Sequence, residues 1–191
     1  MPLRSCFALV LLAAACAAPR PAPATLLTDL GDAPAVGAVR LQLTDSELVA
    51  VTVPLPPGSL PPAVRTTLLA LAADGEETFR GRERGPRGTG YRIDTRHAAP
   101  EHRRSALIDA DGGVLERAHT VPLPEAPAHV LATALQFGPR VDEIWIVSGP
   151  RQEEHWTVVV RDRELREHVV AIDLEGRLLQ RRRRVAAQLD G

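Results

Sequence analysis

Lysine is missing from this 191-residue chain, and aromatic residues make up only 3% of it, with two tryptophans, one tyrosine and three phenylalanines. All the positive side-chain charge apart from histidine is therefore arginine. Together with abundant alanine, glycine and proline, this reads as a GC-rich coding sequence more than a binding signature. The formal net charge of −1 provides no long-range pull towards DNA, RNA or an anionic bilayer. Hydrophobic content is 45%, but alanine supplies much of it, so any core must be built from Val, Leu and Ile, and such cores are thin. The only cysteines are Cys6 and Cys16. Everything after them lacks the means for an internal disulfide or a thiolate metal site. No long apolar run exists either: the longest, from Cys6 to Ala15, is about half of the roughly twenty residues a membrane-spanning helix needs.

That short run has a role of its own. Residues 1–15 place Arg4 ahead of Phe7, Leu9, Val10, Leu11 and Leu12, the build of a secretory signal. It ends in Leu12-Ala13-Ala14-Ala15-Cys16, which resembles the lipobox of bacterial lipoproteins. The resemblance implies a diacylglycerol on Cys16, although the family's usual Leu, Val or Ile three residues before the cysteine is here Ala13. Ordinary cleavage between Ala15 and Ala18, releasing a soluble product, is the alternative. The next residues, Ala17-Ala18-Pro19-Arg20-Pro21-Ala22-Pro23-Ala24, favour an extended, poorly packing chain, so residues 16–38 read as lipidated cysteine and tether. Ala17 beside the cysteine, rather than an aspartate, resembles the outer-membrane sorting pattern. The expected location is extracytoplasmic, on the periplasmic side of the outer membrane if the host has two membranes.

Downstream, a pattern recurs. Val53-Pro54-Leu55-Pro56 returns as Val121-Pro122-Leu123-Pro124, Tyr91–Thr95 aligns with Trp156–Val160, and Asp109–Arg117 with Asp173–Arg181. The order is kept with small drift, as in a tandem duplication. Each copy opens with a helix signal. Ser59 can cap a first helix, Pro61 or Pro62 fits its first turn, and Val64, Leu68 and Leu71 follow at helical spacing; Pro124 and Pro127 precede Val130, Leu131, Ala134 and Leu135. Four strand-like runs follow each helix, near 78–82, 90–95, 104–108 and 114–121, then near 141–147, 155–161, 168–172 and 178–185. Short connections predict antiparallel meanders. Alternation puts Tyr91, Ile93 and Thr95, like Trp156, Val158 and Val160, on the face that meets the helix. Arg92, Asp94, His155, Thr157 and Val159 take the opposite face. Residues 39–53 add a hairpin in front.

A proline-led helix followed by a four-stranded meander, whose last hairpin turns on Asp-x-Asp-Gly or Asp-x-Glu-Gly, resembles the PepSY-like and beta-lactamase-inhibitor-like families. Trp145 in a first strand and Tyr91 or Trp156 opening the next belong to the same pattern, which runs from Pro54 to Ala187. The expected fold is α+β, two tandem units of one short helix on a four-stranded sheet, spanning residues 54–120 and 121–191. What the resemblance implies for function is binding to, and inhibiting or regulating, a peptidase or other envelope enzyme.

Catalytic patterns do not appear. Asp109-Ala110-Asp111-Gly112-Gly113 begins like an EF-hand loop, but Gly113 and Thr120 stand where its fifth and twelfth positions need oxygen ligands, so a tight hairpin turn is expected. His97 and His102 with Glu101 lack a third ligand at recognisable spacing and read as surface loop residues. Glu153-Glu154-His155 and Glu167-His168 read as solvated strand edges. No Gly-x-Ser-x-Gly elbow or phosphate loop is present. Arg181–Arg184 alternate faces on a strand, so at most half can form one patch. With Ile144 and Ile146 towards the helix, Trp145 and Val147 point the other way, beside Val159, His155 and Thr157, and this open face is the expected partner site. The sequence thus predicts a non-enzymatic envelope lipoprotein that binds a protein, with no cofactor and no metal. A structural or assembly lipoprotein is the alternative, and an uncharacterised hydrolase ranks third.

Overall fold

The computed structural model describes residues 36–45, 47–98 and 102–190. Ten strands run in chain order: β1 (Val36–Thr44), β2 (Glu47–Pro54), β3 (Glu76–Gly85), β4 (Gly88–Arg96), β5 (Arg103–Ile108), β6 (Val114–Thr120), β7 (Arg140–Gly149), β8 (Gln152–Arg161), β9 (Glu167–Ile172) and β10 (Leu178–Asp190). Each pairs antiparallel with its sequence neighbour, β2 with β3 and β6 with β7 included although a helix lies between them in the chain. The ring closes where β1 meets β10, from Val36 opposite Asp190 to Leu43 opposite Arg183. The expected signal peptide, Cys16 and most of the expected tether lie outside the described residues; positions 36–38, assigned to the tether, belong to β1.

This closed all-antiparallel barrel corrects the expectation of two α+β units. The elements sit where the periodicity places them, but all ten strands share one continuous sheet, and among the described residues helix is confined to α1 (Pro62–Leu71), α2 (Ala128–Ala134) and a single 3-10 turn, Leu123–Glu125. A twisted sheet of this many strands exposes two long edges, and pairing the first strand with the last abolishes them.

Both helices lie outside the barrel. Under α2, Val130 and Ala134 pack on Ile144, Trp156, Val158, Val160, Val170 and Ile172; under α1, Leu60 and Val64 pack on Ile93, Ala106 and Ile108. The face assignment from alternation therefore holds for Ile93, Ile144, Trp156, Val158 and Val160. Proline starts both helices, since its fixed φ suits a first turn and it has no N–H to leave orphaned. Ser59 does not cap α1: its hydroxyl donates to the Pro56 carbonyl at 2.7 Å, and Pro61 holds the cap position.

Each helix is also pinned to a hairpin turn. Thr67 Oγ1 donates to the Gly112 carbonyl at 2.8 Å, and Thr133 Oγ1 to the Gly176 carbonyl at 2.7 Å. Both glycines have left-handed backbone, φ 88° and 89°, which glycine adopts without steric cost. In these turns the Asp109 and Asp173 carboxylates accept backbone N–H groups, from Asp111 and Gly113 and from Glu175 and Arg177, so the EF-hand-like run is a hairpin turn.

Candidate functional site: the barrel chamber

Because alternate residues of every strand point inward, the face opposite the helices becomes the wall of an internal chamber of about 730 Å³. One side of it is charged. At its centre Arg92 on β4 grips Glu83 on β3 with two bonds, Nε to Oε2 and Nη2 to Oε1, both 2.9 Å, while its Nη1 donates to Glu116 Oε1 at 2.6 Å. Thr52 Oγ1 adds a bond to Glu83 Oε2 at 3.3 Å. Asp94 accepts from Arg40 Nη1 at 3.0 Å and from Ser105 Oγ at 2.8 Å. Burial alone would raise the Glu83 pKa, but the Arg92 charge and its two bonds outweigh that and hold the carboxyl below its ordinary value. The Arg92 guanidinium is raised in turn: burial opposes its charge, and Glu83 more than compensates.

The opposite side, from β6 to β9, is mixed: Ala118, Trp145, Val147, Val169 and Ala171 face inward beside Glu143, His155, Thr157 and Glu167. Trp145 stands on β7 within it. Its indole Nε1 donates to Glu143 Oε2 at 3.0 Å, Arg103 pairs with Glu143 Oε1 at 2.8 Å, and the Arg103 guanidinium lies 5.2 Å from the indole ring centre. Burial disfavours the Glu143 charge, yet the bonds from Arg103 and Trp145 leave its pKa lowered. At the end formed by the β3–β4 and β7–β8 turns, Arg87 reaches over the mouth to pair with Glu116 and with Gln152. Burial and the nearby Arg92 push the Arg87 pKa down to about 10, so it remains charged at neutral pH.

No family model matches the chain, and no curated protein matches it. Among solved structures, a protein from Bacteroides eggerthii described as periplasmic superposes with a TM-score of 0.51 at 14% identity, covering 66% of this chain and 90% of its own. A DUF2874 family protein from Bacteroides uniformis follows at 0.49 and 14%, covering 64% and 88%, and a BLIP-like protein from Bacteroides fragilis at 0.44 and 19%, covering 70% and 91%. The likeness is one of fold.

The chamber gathers four of the five residues expected at a partner site, Trp145, Val147, His155 and Thr157, and Val159 shares their face of the sheet. Trp145 pairs in register with Thr157, Val147 with His155, and Val159 with Glu143, and all five belong to inward positions. Their face is thus the inside of a barrel rather than an open sheet. Arg182 and Arg184 also point into it, Arg184 pairing with Glu167 at 2.8 Å, while Arg181 and Arg183 are exposed; the arginine run is split between faces, as alternation requires.

Three readings of individual residues change. His97 is buried at 8% exposure, not a surface loop residue; its Nδ1 lies 3.4 Å from Asp74 and its Nε2 3.2 Å from Thr95 Oγ1, with the His102 ring centre 5.9 Å away. His168 sits 2.9 Å from Asp162 in a half-buried pair, and Glu167 faces the chamber; neither is a solvated edge. Alternation had placed Arg92 and Asp94 on this face, but nothing in the sequence joined them to Glu83 and Glu116, because the join is made by strand register.

Proposed function

We propose that this chain is an exported binding lipoprotein, without catalytic chemistry of its own, whose barrel takes up a small ligand that is neutral or zwitterionic and carries both apolar and hydrogen-bonding groups. The chamber carries this reading. Eight strands make a barrel that its own side chains can fill, and ten make a wider one; a void of about 730 Å³ lies in the range of small-molecule sites. The charges that line it are already matched: Arg92 with Glu83 and Glu116, Arg40 with Asp94, Arg103 with Glu143, and Arg184 with Glu167. A ligand with net charge would lose its hydration and find no net counter-charge. A ligand that carries both apolar and hydrogen-bonding groups matches this mixed lining.

Export is supported by residues 1–15 and Cys16, and by the shared fold of a Bacteroides eggerthii protein described as periplasmic. Regulation of an envelope enzyme, the role implied by the family resemblance, would have to use the barrel's rims or outer surface, since the Trp145 face is enclosed.

A Trp156→Phe chain leaves Trp145 as the single tryptophan and the reporter of the chamber. Titration with a short-chain phosphocholine below its micelle concentration should shift Trp145 emission saturably, and Ala171→Phe, which fills the chamber, should abolish the shift. An emission spectrum that is unchanged, or that changes equally in the filled variant, refutes the reading.

A further inference from the structure

At the end of the barrel away from Arg87, where β5 and β7 begin, the chamber meets an outer groove beside residues 121–124. Arg103 and Glu143 line both cavities, so their ion pair, 2.8 Å from Nη2 to Oε1, stands at the boundary. Unlike the enclosed Arg92–Glu83 pair, this one is open to exchange. Its side chains are 35% and 25% exposed, and a pair that water reaches is worth little and swaps partners at little cost. Thr120 Oγ1 accepts the Arg103 backbone N–H at 2.8 Å, which holds the strand while the guanidinium turns.

The charges at this boundary balance in number but not in pairing. Arg96 lies directly opposite Arg103 across β4 and β5, and like charges so placed repel. Arg96 lines the groove and is exposed. Glu76 stands opposite it on β3, yet Arg96 forms no ion pair among the described residues. The remaining acids are taken: Glu143 accepts from Arg103 and from the Trp145 indole, and Asp142 pairs with Arg140 and Arg161.

We infer that this boundary seats a zwitterionic group of the ligand, its anion between Arg96 and Arg103 and its cation against Glu143 and the Trp145 ring. Such a seat rests on the chamber reading proposed above, and it selects the zwitterion from the two ligand classes left open there. An anion with two or more oxygens takes both guanidinium groups at once and removes their repulsion. Drawn to it, Arg103 gives up Glu143 and its place 5.2 Å from the indole ring centre. A carboxylate and an aromatic face are left, a combination that holds ammonium groups, quaternary ones above all. A plain anion would leave Glu143 without its partner, and a plain cation would displace Arg103 with nothing to receive it. A ligand with both signs leaves each charge paired. Its apolar part then lies in the chamber along Val147, Val169 and Ala171.

The test titrates the Trp156→Phe chain, with Trp145 as reporter, against four probes that share a hexyl chain: hexylphosphocholine, hexyl phosphate, hexyltrimethylammonium and hexanol. The phosphocholine should bind tightest, by about tenfold over each of the others, roughly the worth of one charge-assisted hydrogen bond. Arg96→Gln, a change at an exposed side chain, should remove that advantage and leave hexanol binding unchanged. In the complex, nuclear Overhauser contacts should join the N-methyl protons of the phosphocholine to the Trp145 indole. Equal or tighter binding of a probe that lacks either charge, an advantage that survives Arg96→Gln, or N-methyl contacts to Ala171 in place of Trp145 would overturn the seat and leave chamber binding standing. Trp145 emission that none of the probes moves would refute the chamber reading, and the seat with it.

Discussion

Arg92 holds Glu83 through two parallel bonds of 2.9 Å in the middle of the barrel, with both side chains less than 15% exposed. A buried pair of this kind is costly to break from one side, because the remaining charge keeps its desolvation penalty and loses its partner. Arg92→Met should therefore destabilise the barrel by about 3–5 kcal/mol, measured by urea denaturation. Replacing both partners, Arg92→Met with Glu83→Leu, should cost less than Arg92→Met alone. A single variant as mild as an exposed substitution, or a double variant no better than the single, contradicts this.

The same pair sets a pH dependence. The folded Glu83 pKa lies below the ordinary 4.5, so the carboxylate's contribution is fully present above that value and is lost as pH falls through the lower folded one. Glu143 acts in the same direction. Thermal scans of the wild type should show melting temperature falling below about pH 4.5. Glu83→Gln should melt lower at neutral pH and fall less steeply in acid; parallel acid limbs would rule Glu83 out as a source.

Arg87 bridges Glu116 and Gln152 at the chamber mouth and is more than a third exposed. Solvent screening leaves such a pair worth less than about 1 kcal/mol, and Glu116 keeps Arg92 when Arg87 is removed. Arg87→Ala should thus change stability little while speeding the access of a phosphocholine probe to Trp145 in stopped-flow fluorescence. Unchanged association rates would show that Arg87 does not guard the entrance.

The Asp162–Arg166 turn repeats the hydrogen bonding of the Asp173–Arg177 turn, but Leu165 at φ 62° stands where the latter has Gly176 at φ 89°. A left-handed leucine costs roughly 1–2 kcal/mol, and its side chain is exposed and gains little from packing. Leu165→Gly should raise stability by up to about 1 kcal/mol after the entropy of a flexible glycine is deducted. Gly176→Leu should lower it, since a Cβ there would come within 2.8 Å of the His129 ring. A destabilised Leu165→Gly chain would contradict the backbone argument.

The two helix-to-turn bonds make a matched pair. Thr67→Val and Thr133→Val each remove one hydroxyl that bonds a glycine carbonyl and should each cost about 1 kcal/mol. Their sites sit on separate helices, so the costs should add in the double variant. A strongly non-additive denaturation midpoint would mean that the halves of the barrel are coupled through these pins.

Most of the local structure was readable from the chain. Alternation placed Trp156, Val158 and Val160 under a helix, proline placed both helix starts, and Asp-Gly signals placed two hairpins, since each depends on residues close in sequence. Closure was not readable. A two-residue period shows which face a side chain takes but says nothing of the sheet's curvature, and the decisive pairing joins Val39 to Ala187. For the same reason Arg92 and Asp94 could be assigned to the face opposite the helix but not told apart from ordinary solvated charges. Once the sheet closes, polar-outward becomes polar-inward, and the open face of Trp145 becomes a chamber wall. His97 was missed because its burial depends on the turn at Asp74 and Gly75 packing against its ring, an approach made by the fold.

Native mass spectrometry of the protein extracted gently from the cells that make it reads the occupancy of the chamber. The wild-type chain should carry a small uncharged or zwitterionic adduct, and Ala171→Phe, folded as judged by circular dichroism, should carry none. A wild-type chain that flies without adduct, or a filled variant that retains the same one, would contradict ligand binding in the chamber.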